Sequence, residues 1–98
     1  MNKLLYPTII IDGEERSFVW GTVNYIHVIG KYSIVEYLSN TRGMENKTYF
    51  HSYIKNRDTN HSYLTLEEAI IGVIAYEYDG PNSQAAYFFG KMLGFKED

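Results

Sequence analysis

Ninety-eight residues make a single domain, 1–98, because two would each be too small to bury a stabilising core. Hydrophobic residues at 45% and charged residues at 21% describe a globular chain and exclude a disordered one. A net charge of −3 argues against general nucleic-acid binding, and the lack of Cys excludes disulfides and thiolate metal sites.

Thr8-Ile9-Ile10-Ile11 is a β-branched run closed by Asp12-Gly13, a hairpin signal, with Ser17-Phe18-Val19-Trp20 as the expected returning strand. Gly21 interrupts the chain before a second hairpin. There Val23–Ile29 and Tyr32–Leu38 flank Gly30-Lys31, whose leading Gly suits a type II′ turn. This register sets Ile29 opposite Tyr32, His27 opposite Ile34 and Tyr25 opposite Glu36. On the other face Val28 meets Ser33, Ile26 meets Val35 and Asn24 meets Tyr37. Both faces carry apolar side chains, so both are expected to be covered, one by helices and the other by a partner subunit or ligand.

A polar loop around Gly43 leads to a fifth strand, Lys47–Ile54, with Phe50, Ser52 and Ile54 on one face and Tyr49, His51 and Tyr53 on the other. Residues 55–60 read as a charged turn. The short repeat His51-Ser52-Tyr53 and His61-Ser62-Tyr63 reads as coincidence.

Thr65-Leu66-Glu67-Glu68 is a capping box, and the helix after it places Leu66, Ala69, Ile70, Val73 and Ile74 at core spacing. Gly72 permits close backbone approach, and Asp79-Gly80-Pro81 stops the helix. A second helix starts near Pro81–Ser83, offers Ala85, Phe88, Phe89 and Met92 to a core, and ends at the left-handed cap Gly94. The expected fold class is therefore α+β: an antiparallel β-meander of about five strands over residues 1–64, then two short C-terminal helices over 65–95. Apolar side chains on several sides of both helices predict a homo-oligomer formed through them; a thick monomeric core is the alternative.

Catalytic patterns are missing. No His pair has metal-ligand spacing, Ser52, Ser62 and Ser83 lack a nucleophile turn, and the eight Gly are scattered at turns and caps. His27 lies too far from Glu36 along the hairpin for a dyad. The expectation is a non-enzymatic chain with no catalytic residues, metal or cofactor. The stronger candidate site is the entrance of the second helix, whose first amides favour anions. Asn82, Ser83 and Gln84 add donors and acceptors for a ribose or base, while Tyr78 and Phe88 offer stacking surface. Arg57 or Lys55, from a basic span that also holds Arg42 and Lys47, would contribute charge from a neighbouring subunit. An ordinary N-cap accounts for Asn82 and Ser83 equally well, and a solvated face accounts for the basic span.

No run approaches membrane-spanning length, and Leu4-Leu5-Tyr6-Pro7 is too short for the apolar segment of a signal peptide, so the expected location is the cytoplasm. The abundance of Ile, Lys, Asn and Tyr, whose codons are rich in A and T, points to a low-G+C bacterium or one of its phages.

With Asp79-Gly80-Pro81-Asn82-Ser83-Gln84 and the following Tyr87-Phe88-Phe89, the β-meander and paired helices resemble the phage sponge proteins that sequester cyclic ADP-ribose signals of bacterial Thoeris immunity. The resemblance implies a nucleotide-like ligand held near the C-terminal helices at a subunit interface, without catalysis. The chain departs from that pattern in having no Arg after Arg57, which leaves Lys91 and Lys96 as the cations of that region. The leading expectation is an anti-defence protein that sequesters a nucleotide-derived immune signal. The alternatives are a small acidic inhibitor of a host defence protein, of anti-CRISPR character and acting through Tyr25, Tyr37 or Tyr49, and a self-assembling structural module.

Overall fold

The computed structural model describes residues 6–40, 42–43 and 45–79, which hold one helix in place of two; the expected second helix, with Asn82, Ser83, Gln84 and Phe88, lies outside the described residues. The elements run β1 (Thr8–Ile11), β2 (Glu14–Ser17), β3 (Gly21–Ile29), β4 (Tyr32–Ser39), β5 (Thr48–Ile54), β6 (Arg57–Tyr63) and α1 (Leu66–Asp79). They form an α+β arrangement with two antiparallel sheets, a β1-β2 ribbon and a four-stranded meander in the order β3-β4-β5-β6.

Two strands differ from expectation, each because of a tight turn. Asp12 and Gly13 both have positive φ, 53° and 82°, so the chain reverses within two residues and β2 begins at Glu14 instead of Ser17. Phe18 follows β2 with its amide donating to the Pro7 carbonyl at 2.9 Å, and its ring enters the core. At the second place, Lys55 takes φ 54° and the turn needs only Lys55-Asn56. The polar residues that follow form β6, a sixth strand in place of a charged turn. A strand needs backbone partners more than apolar side chains, and β5 supplies those partners here.

The hairpin register is as expected from Tyr25↔Glu36 to Ile29↔Tyr32. Beyond it a bulge at Asn24 moves Tyr37 opposite Val23. On one face of the meander, Val35, Tyr37, Tyr49 and Tyr53 pack with Ile9, Ile11 and Phe18. That face is thus covered by the chain's own β1-β2 ribbon, where a partner or ligand was expected. On the other face Ile34 and Tyr63 pack with Ala69 and Val73 of α1.

The Thr65 side chain caps α1 by accepting from the Glu68 amide at 3.1 Å. The helix buries Ala69, Val73 and Tyr76, whereas Ile74, expected in the core, is 38% exposed. Gly72 sits directly on the buried Tyr63 ring, leaving no space for a Cβ. No helix among the described residues is long and apolar enough to cross a membrane.

Candidate functional site

The two hairpin turns Gly30-Lys31 and Lys55-Asn56 lie side by side at one end of the meander, joined by the Lys55 amide donating to the Lys31 carbonyl at 2.7 Å. The C-terminal half of α1 passes beside them. Between turns and helix is a cleft of about 420 Å³ lined by Lys31, Ile54, Lys55, Asn56, Arg57, Tyr76 and Glu77. That volume lies within the range of small-ligand sites, roughly 300–1,000 Å³.

Three of these side chains are cations and one is a carboxylate. Glu77 is engaged by Lys31 Nζ and by the Tyr32 hydroxyl. Those two hydrogen bonds, aided by the charges of Lys31 and Lys55, hold its carboxyl below the ordinary value. The same hydrogen bond is the main reason the Tyr32 phenol is pushed up to about 12. α1 has no basic residue in its last turn, so Lys31 supplies charge compensation there from the sheet. Lys55 and Arg57 are exposed and have no carboxylate within ion-pair distance among the described residues. The cleft therefore offers two cations to an anion, with Ile54 and Tyr76 as the adjacent apolar wall. The Asn56 carbonyl also accepts from the Arg16 guanidinium, which lies 5.0 Å from the Tyr53 ring centre and ties the turn to the ribbon.

Of the residues expected at a site, Lys55 and Arg57 enter the cleft, but from the same chain as α1. Tyr78 follows directly after Glu77 and is 83% exposed. Asn82, Ser83, Gln84 and Phe88 fall outside the described residues. Tyr37 and Tyr49, proposed contacts of an inhibitor surface, are instead core residues at 4% and 5% exposure, while Tyr25 is exposed. Lys31, Tyr76 and Glu77 were missed. Only the closing of two turns against one helix brings them together, and no spacing in the sequence announces it.

A second polar group is buried under the ribbon. His51 Nε2 lies 2.7 Å from Asp58 Oδ1 and His51 Nδ1 lies 2.6 Å from Ser62 Oγ, which is 2.9 Å from the Tyr37 hydroxyl. His51 and Ser62, one from each copy of the His-Ser-Tyr repeat, meet because the two copies lie on neighbouring antiparallel strands with His51 opposite Ser62. Burial alone would raise the Asp58 carboxyl, but the His51 hydrogen bond and charge, the Asn60 amide and Arg16 together lower it. Burial likewise pushes the Tyr37 phenol up to about 12. Trp20 stacks on the imidazole with ring centres 4.2 Å apart, and His51 is 2% exposed. Covered in this way, the serine and imidazole hydrogen-bond one another inside the core.

His27 also departs from expectation. Its Nε2 is 2.9 Å from Glu36 Oε1, since two long side chains span the diagonal between neighbouring pairs. Among the described residues no group of three or more His, Asp or Glu side chains is placed to hold a metal ion. Compared with protein-family models, with curated proteins and with solved structures, the chain matches none.

Proposed function

We propose that this chain is a non-enzymatic binding protein that sequesters a small phosphate-bearing, nucleotide-derived signal, the role expected of a phage or mobile-element anti-defence protein. The observation that supports this reading is the cleft itself, in which Lys55 and Arg57 have no carboxylate within ion-pair distance among the described residues and stand beside Ile54 and Tyr76. A phosphate sits against the two cations through charge-assisted hydrogen bonds, and a base or ribose lies along the Ile54 and Tyr76 wall.

Isothermal titration with cyclic ADP-ribose isomers and cyclic oligonucleotides tests the reading. One of them is expected to bind, with affinity falling as salt is raised. A charge-assisted hydrogen bond contributes about 1.5–3 kcal/mol, so Lys55→Ala and Arg57→Ala should each weaken binding by roughly 10-fold or more. Absence of heat with every ligand sinks the reading, and binding unaffected by both substitutions moves the site away from this cleft.

A further inference from the structure

Among the described residues β3 and β6 are the two edges of the meander, and their chemistry differs. β6 carries Arg57, Asp58 and His61 and turns at Asn60, whose φ is 63°. Charges and irregular backbone are the usual devices that stop a sheet edge from pairing with another chain. Along Tyr25-Ile26-His27-Val28-Ile29 of β3 there is no Lys, Arg, Asp, Glu or Pro. Its one titratable group besides the Tyr25 phenol is His27, held by Glu36 of the same chain at 2.9 Å. Nevertheless Tyr25, Val28 and Ile29 are 59%, 69% and 39% exposed. They project from both faces, since α1 lies across β4, β5 and β6.

We propose that β3 pairs antiparallel with β3 of a second copy of this chain, about a two-fold axis at His27, joining two meanders into one continuous sheet. The two-residue turn makes Ile29 and Tyr32 the hydrogen-bonded closing pair, so the backbone groups of Ile26 and Val28 point away from β4. With the axis at His27, Ile26 of each copy exchanges backbone hydrogen bonds with Val28 of the other. Tyr25 then meets Ile29 across one face, and Val28 meets Ile26 across the opposite face. Each exposed apolar side chain of the edge gains an apolar neighbour, and the strand satisfies itself without any complementary charge. Two copies that each carry a net charge of −3 thus meet along an edge segment with no acidic or basic side chain besides the imidazole. This contact uses a surface other than α1, and it stands independently of the cleft and its ligand.

Native mass spectrometry and light scattering of the full chain test the pairing. The expected mass is twice the 11.4 kDa of one chain. Val28→Lys and Tyr25→Lys, both at exposed positions, should give a single-chain mass with an unchanged circular dichroism spectrum. Ile10→Lys, at a residue 60% exposed on β1, should leave the double mass intact. A single-chain mass for the wild type at all concentrations overturns the proposal. So does a double mass that survives both β3 substitutions, because the contact then belongs to another surface or the chain's own C-terminal segment.

Discussion

At the scale of single residues, the most consequential side chain is Asp58. Among the described residues it is the one carboxylate that reaches the buried His51 imidazole, which also bonds Ser62 and, through it, Tyr37. Removing it leaves His51 Nε2 buried without this partner, so Asp58→Ala should destabilise the chain by about 1–3 kcal/mol in urea denaturation. Its pH dependence has a definite sign. In the folded chain the carboxyl is held below its ordinary value, whereas in the unfolded chain it titrates near the usual carboxylate value of about 3.9. The stabilisation is complete above the unfolded value and is lost as pH falls through the lower folded one. Between about pH 5 and about pH 3, the wild type should therefore lose stability more steeply than Asp58→Asn. Parallel acid limbs for the two proteins would show that Asp58 is not the group responsible.

At the scale of elements, α1 depends on one close approach. Gly72 faces the fully buried Tyr63 ring on β6, and a Cβ would overlap that ring's hydroxyl end and edge atoms alike. Alanine gains about 1 kcal/mol in helix propensity over glycine, but overpacking a full core costs about 1–3 kcal/mol. Gly72→Ala should thus lower the thermal midpoint, whereas an exposed helical glycine would raise it on the same exchange. The freedom of Gly72 was legible in the sequence, but its neighbour was not, because β6 looked like a charged turn. The same misreading hid the partners of His51, since Asp58 and Ser62 bond it only once Arg57–Tyr63 pairs with β5.

At the scale of the whole molecule, the described side chains that hold the β1-β2 ribbon to the meander include Ile9, Ile11 and Phe18, of which Ile11 and Phe18 are fully buried. The Phe18 ring makes edge contacts with Trp20, Tyr37 and His51 at centroid distances of 5.4, 4.9 and 5.9 Å. Truncating such a residue costs about 3–5 kcal/mol, and a lone two-stranded ribbon is marginal in water. Phe18→Ala should accordingly release the ribbon first: its amides should exchange hydrogen much faster than those of β4 and β5 in mass spectrometry. Uniform acceleration throughout the chain would instead mean that ribbon and meander open as one unit.

The amino-acid sequence by itself determined what depends on neighbouring residues. The Gly30-Lys31 hairpin with its register from Tyr25 to Ile29, the Asp12-Gly13 reversal and the Thr65 cap all follow from backbone preference and side-chain alternation over a few positions. Tertiary structure decided everything that required distant segments to meet. It laid the ribbon over one face of the meander, paired the two His-Ser-Tyr copies across β5 and β6, and moved Tyr37 and Tyr49 from an expected surface into the core. It also set Lys31, Lys55 and Arg57 around one cleft with Tyr76 and Glu77. Local periodicity specifies which way a side chain points from its own strand or helix. What it points at depends on loop closure and packing over tens of residues, for which no short pattern in the chain is diagnostic.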